Sequence, residues 1–228
     1  LYTMSAFRQK SVYLQTYLPA QSYKNICNGR INSVRKDKKP TNMSLQKLNF
    51  AIFGNIYQAD KSAGIQQVLH SLKERMAGVS MEKTFYDFLV KTRGLRLDGV
   101  SVFDGNYENA DFVISIGGDG TLLRSAYCVG DRCTPIIGVN MGRLGFLAGV
   151  SVEEIDEVLD NIYKEEYIVD CLAMVQVETT RGDGTETHEC ALNEIAVLKR
   201  DNASMISIRT SINGEYIVTY HADGLIIS

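Results

Sequence analysis

The sequence predicts an α/β domain built on a parallel sheet, followed by an all-β domain. Three observations predict it. Between Leu48 and Tyr167 short apolar runs alternate with segments of helical period, the pattern of parallel strands with helices over their faces. Two of those runs, "DFVISI" (Asp111–Ile116) and "PIIGVN" (Pro135–Asn140), are near-continuously apolar, as strands buried on both faces are. From Ile168 the pattern changes to alternation broken by turn signals, Asn213-Gly214 above all. The expected division is an extension over 1–47, the α/β domain over 48–167 and the start of a β-rich domain over 168–228.

The first segment differs in charge from the rest. Residues 1–47 hold nine of the 24 Lys and Arg against one acid, Asp37, a local charge near +8, while the remaining 181 residues stand near −11. "RKDKKPTN" (Arg35–Asn42) has linker composition, and "MSLQKLNFAIFGN" from Met43 reads as a natural beginning. The expectation is a disordered extension. A transit peptide fits less well, because arginines are few and tyrosines many.

The elements then follow in order. "LNFAIFGN" (Leu48–Asn55) is a strand ended by Gly54-Asn55. Ile65, Val68, Leu69, Leu72 and Met76 recur at helical spacing. A second helix is predicted with Ser80 as N-cap, Phe85, Phe88 and Leu89 on one face, and Gly94 as its stop. "DFVISI" is a strand, "TLLRSAYCVG" (Thr121–Gly130) a helix and "PIIGVN" a strand. Ser151 and Glu154 stand at capping-box spacing and start another helix. "YIVDCLAMVQVETT", "CALNEIAVLKR" and "SMISIRTSINGEYIVTY" are β-rich, and "HADGLIIS" reads as a strand in progress, so the β-rich domain is expected to be truncated at the C-terminus.

Composition excludes several classes of function. With 45% hydrophobic and 22% charged residues the chain reads as an ordinary globular protein. A net charge of −3 gives no general affinity for nucleic acid or membrane; only the basic extension could support a nucleic-acid role. No run approaches the length of a membrane span. Five cysteines, odd in number and without CxxC spacing, argue for idle thiols in a reducing cytoplasm. "THEC" (Thr187–Cys190) lacks the partners a metal site needs, so no protein-held metal is expected.

One stretch calls for chemistry. "SIGGDGT" (Ser115–Thr121) ends a strand and opens a helix, with Asp119 among three glycines. Backbone N–H groups at a helix N-terminus suit an anion, usually phosphate, and glycines let it approach. An acid among phosphates opposes simple binding. It makes sense as a proton acceptor or a cation ligand. A tight turn with Asp119 as N-cap is the bland reading beside it. There is no GxxxxGK[ST], and no GxGxxG after the first strand, which disfavours P-loop NTPases and plain dinucleotide dehydrogenases.

Four motifs in order then resemble one family. "GGDGT" resembles the signature shared by NAD kinases, diacylglycerol-type lipid kinases and 6-phosphofructokinases. "GVNMGRLGFLAG" (Gly138–Gly149), "ALNEIAV" (Ala191–Val197, its Asn-Glu 74 residues beyond Asp119) and "HADGLIIS" resemble NAD kinases in particular. Lipid kinases carry Asn-Glu directly after GGDGT, where this chain has "LLRSA"; a TIDND-like phosphofructokinase motif is absent.

The resemblance implies a phosphofructokinase- and diacylglycerol-kinase-like α/β domain that binds nucleotide. It implies ATP-dependent phosphorylation of the 2′-hydroxyl of the adenosine ribose of NAD, giving NADP. Carried over by residue, Asp119 accepts the hydroxyl proton. Gly117, Gly118, Gly120 and Thr121 border phosphates, and Gly120 also touches NAD. Arg124 contacts NAD, Asn193 and Glu194 hold the adenosine half, His221 and Asp223 face the nicotinamide end, and Phe146 packs in the pocket. His221 stands where the family often has Arg. Mg²⁺ would arrive with ATP, and the full-length protein would be a cytoplasmic homo-oligomer, dimer or tetramer. Alternatives are a lipid or sphingoid-base kinase and a non-catalytic NAD-binding module.

Overall fold

The computed structural model describes residues 12–18, 47–56, 62–142, 145, 147–173, 175–180, 182, 184–200 and 204–228. They divide into two compact units, Leu1–Leu172 and Ala173–Ser228.

The first unit is organised by a sheet with six parallel strands. β2 (Asn49–Gly54) lies between β3 (Gly78–Glu82) and β5 (Phe112–Gly117); β4 (Val100–Phe103) extends the sheet beyond β3, and β6 (Ile136–Asn140) beyond β5. The short β7 (Val150–Ser151) pairs parallel with β6. Phe50 is in register with Phe112 and Val79, and Val113 with Ile136. Strands β2, β5 and β6 are buried along almost their whole length, as their apolar runs require.

Among the described residues, four helices connect the strands: α1 (Ser62–Glu74), α2 (Lys83–Lys91), α3 (Asp119–Val129) and α4 (Ile155–Tyr163). Ile65, Val68 and Leu72 of α1, Phe85 and Leu89 of α2, and Ile155, Leu159 and Ile162 of α4 join Phe50, Ile52, Ile114, Ile116 and Val139 in one core. α3 serves the other face. Its Leu122 packs onto Gly138, which alternates with the core-facing Ile137 and Val139. A Cβ on Gly138 would overlap Leu122 Cδ1 and lie 2.9 Å from Ala148 Cα. Arg75, just past α1, ties that helix to α4 through Asp156 at 3.0 Å and Asp160 at 2.6 Å. The predicted capping box is present: the Ser151 N–H donates to Glu154 Oε2 at 3.0 Å, leading through a 3₁₀ turn, Val152–Glu154, into α4.

Two expectations need correction, and one strand was missed. Ser80 does not cap a helix; it lies inside β3, and α2 starts at Lys83 with Glu82 as N-cap. Parallel neighbours on both sides, β2 and β4, supply the backbone partners that make "GVSME" a strand. "VSVF", which forms β4, was not anticipated, because four residues carry too little periodicity. Within the expected extension, Val12–Leu18 forms a strand, β1, antiparallel to β6. "VYLQTYL" is rich in the β-branched and aromatic residues that favour extended backbone. β8 (Tyr167–Ala173) lies beside β1 at the end of this sheet.

The second unit consists of antiparallel pairs. β9 (Val175–Thr180) pairs with β10 (Glu186–Ala191), β11 (Ile195–Leu198) with β14 (Gly224–Ile227), and β12 (Ile206–Ile212) with β13 (Glu215–Ala222). The last hairpin turns at Asn213 and Gly214, both at positive φ (53° and 85°), as its sequence predicted. Among the described residues no helix is long and apolar enough to cross a membrane.

Candidate active site

Strand order places the site. From β2 the chain adds β3 and β4 on one side, then returns to add β5 and β6 on the other. The order reverses between β2 and β5, and in open α/β sheets the crevice beyond the carboxyl ends at such a point receives ligands. A cleft of about 530 Å³ opens there. It is lined by the exit of β2 (Gly54, Asn55, Ile56), the start of α2 (Thr84), the turn Gly118–Thr121, and Arg124.

The glycine turn has a specific geometry. Gly118 is the N-cap of α3, in extended conformation, and Asp119 is the first helical residue. The simple capping role for Asp119 is therefore excluded. A Cβ on Gly117 would overlap Thr121 Oγ1 and lie 2.8 Å from its Cβ, so glycine is needed for β5 to enter α3 this tightly. Gly120 is exposed, and none of the described residues lies within 4 Å of where its Cβ would be. The start of α3 therefore presents open space, backbone amides and the positive end of a helix dipole to the cleft.

Asp119 is held from across the sheet. Its Oδ1 accepts hydrogen bonds from the Leu147 and Ala148 N–H groups, each at 3.0 Å. These belong to the loop after β6, within "GVNMGRLGFLAG". Arg124, on the next turn of α3, donates Nη1 to Glu82 Oε1 at 3.0 Å, and Nη2 to Glu82 Oε2 at 2.6 Å and the Gly54 carbonyl at 3.1 Å. Its guanidinium thus borders the cleft with its charge locally offset. Burial pushes the Cys128 thiol up, against the opposing charge of Arg124, so this cysteine is no thiolate nucleophile at neutral pH.

The cleft brings Gly118, Asp119, Gly120, Thr121 and Arg124 together, with Gly117 directly beneath. Phe146 lies outside the described residues. The remaining candidates belong to the second unit. Asn193 sits at positive φ (76°) between β10 and β11, followed by Glu194, and both are exposed. His221 is an exposed residue of β13 opposite Ser207. Asp223 pairs with Lys199 at 2.6 Å, and its carbonyl accepts the Lys199 N–H at 2.9 Å. His70, on α1, pairs with Glu74 at 3.3 Å. Among the described residues no three His, Cys, Asp or Glu side chains gather as a metal site. Sequence reasoning missed Asn55, Glu82, Thr84 and Gly145. Only Gly145 carried a signal, the glycine inside a motif already singled out.

Fold and cleft define the class: an open α/β fold whose switch point carries a glycine turn and an acid. A family model, the ATP-NAD kinase N-terminal domain, matches residues 45–167, and the chain belongs to the NAD kinase family. It is 46% identical over 181 residues to the NAD kinase of Bacteroides fragilis, covering 79% of this chain and 62% of that protein. It is 34% identical over 178 residues to that of Porphyromonas gingivalis, covering 78% and 61%. The chain therefore spans about 62% of the length of the first of these relatives. The crystal structure of yeast NADH kinase complexed with NADH superposes with a TM-score of 0.62 at 15% identity, covering 79% of this chain and 57% of that one, a likeness of fold.

Proposed function

We propose that this chain carries the catalytic carboxylate, the general base, and the phosphate turn of an NAD kinase, transferring the γ-phosphoryl group of ATP to the 2′-hydroxyl of the adenosine ribose of NAD. The observation that carries the reading is Asp119: a carboxylate at the first position of α3, bordering the switch-point cleft and oriented by two backbone amides. The 2′-hydroxyl proton passes to the Asp119 carboxylate as the ribose oxygen bonds to phosphorus and the bond to ADP breaks. Such transfers depend on positioning and charge neutralisation more than on covalent chemistry. Gly117, Gly118, Gly120 and Thr121 border the phosphates, and Arg124 the NAD. Asn193 and Glu194 hold the adenosine half, His221 and Asp223 the nicotinamide end, and Phe146 packs against the dinucleotide. Mg²⁺ carried on the ATP phosphates would offset negative charge at the phosphoryl group in flight. The kinship of this domain to the phosphofructokinase and diacylglycerol-kinase folds is part of the same reading.

The test is an assay of the protein with NAD, ATP and Mg²⁺, reading NADP with an NADP-specific dehydrogenase. NADP formation that requires both substrates and collapses in Asp119→Asn is expected. No NADP, or a rate in Asp119→Asn within about threefold of the unaltered chain, would overturn the reading; loss of a positioned general base costs about a hundredfold or more.

A further inference from the structure

The contact between Asp119 and the loop after β6 is closer than two hydrogen bonds alone require. Gly145 passes so near the carboxylate that a Cβ there would overlap Oδ1 and lie 2.8 Å from the carboxyl carbon. The loop is also tied down at its ends. The Met141 N–H donates to the Gly117 carbonyl at 3.3 Å, and the Gly142 N–H to Asn140 Oδ1 at 2.8 Å. The buried Asn140 reaches the Ala148 carbonyl through Nδ2 at 3.5 Å. The backbone of Gly145 and the Leu147 and Ala148 amides therefore meet a single oxygen that comes from a different element. Two donors on one carboxylate oxygen fix both the torsion of the side chain and the plane of the carboxyl group.

We propose that Gly145 is a positioning residue: lacking a side chain, it lets the loop backbone close on Asp119 Oδ1, and the Leu147 and Ala148 amides hold the carboxylate in the orientation in which it accepts a proton. This rests on the proton-acceptor role proposed above. The clamp itself is a property of the folded chain and is measurable without turnover.

The experiment is amide hydrogen exchange read by NMR, with a double-mutant stability cycle, on the unaltered protein and on Asp119→Asn, Asp119→Ala, Gly145→Ala and the Asp119→Ala/Gly145→Ala pair. Exchange at Leu147 and Ala148 should quicken about tenfold in Asp119→Ala, the factor for losing a charge-assisted hydrogen bond of about 1.5 kcal/mol. Asp119→Asn, which keeps an acceptor oxygen, should retain most of the protection. Gly145→Ala should lower the melting temperature in the unaltered background and much less in Asp119→Ala, where the obstructing carboxylate is gone. An unfolded Gly145→Ala beside a folded pair is the extreme form of that result. Where Gly145→Ala folds, its kcat should fall about tenfold or more with KM for NAD and ATP little changed. Equal exchange at both amides in Asp119→Ala, or an equal cost of Gly145→Ala in both backgrounds, overturns the clamp; an unchanged kcat overturns the positioning role. If the unaltered protein forms no NADP, the proposed function fails, and exchange still decides the clamp.

Discussion

Arg124 and Glu82 meet fork to fork, Nη1 to Oε1 at 3.0 Å and Nη2 to Oε2 at 2.6 Å, joining the middle of α3 to the end of β3. The pair holds a long cationic side chain in one geometry beside the cleft. Arg124 is 44% exposed and Glu82 17%, so solvent screens much of the attraction. Glu82→Ala should cost about 0.5–1 kcal/mol in urea unfolding. It should cost almost nothing once Arg124→Ala is in place, if the ion pair is the source.

Asp119→Asn should keep the fold and lose most of the kinase rate. Circular dichroism and melting would show the first, NADP formation the second. A drop of about a hundredfold or more matches the loss of a general base.

Gly54→Ala should destabilise the α/β unit. A Cβ there would fall within the Phe85 ring, which is fully buried and so has nowhere to retreat. Overpacking of this kind costs about 1–3 kcal/mol, readable as a lowered urea midpoint.

Ser115→Ala should have the opposite sign. The Ser115 hydroxyl is buried in β5, and its Oγ has no hydrogen-bond partner among the described residues. Removing a buried unsatisfied hydroxyl should be neutral or stabilise by about 1 kcal/mol, seen as a raised melting temperature.

Acid should weaken the α1–α4 contact. A hydrogen bond from Ser71, then Arg75 against the opposing effect of desolvation, hold the Asp156 carboxyl below its ordinary value. A depressed carboxyl contributes stability that is present above the unfolded pKa, near 3.9, and lost as pH falls through the folded one. Asp156→Asn should therefore flatten the stability curve below about pH 4 and lower stability slightly at neutral pH. An acid limb identical to that of the unaltered chain would exclude the contribution.

Legibility varied with the source of each signal. β5 and β6 were plain in the sequence because both faces are buried and almost every residue is apolar. The hairpin at Asn213-Gly214 was plain because its turn demands positive φ. β3 was hidden because "GVSME" becomes a strand through its neighbours and not through its own composition. In the site, Asp119 and the glycines around it were visible as a motif. The supports were not. Glu82 is an unremarked acid until β3 places it opposite Arg124. The Leu147 and Ala148 donors are main-chain atoms that every residue except proline shares.

That last point bears on how the loop can be probed. A scan that trims side chains at 147 and 148 leaves both N–H groups where they are, so alanine and leucine at these places are chemically alike toward Asp119. Proline deletes the donor, and an ester linkage in place of the amide would do so with less disturbance of the chain. At 147 and 148 the loop's hold on the acid is thus written in its path and not in its letters, and a substitution scan at those two places must edit the backbone to touch it.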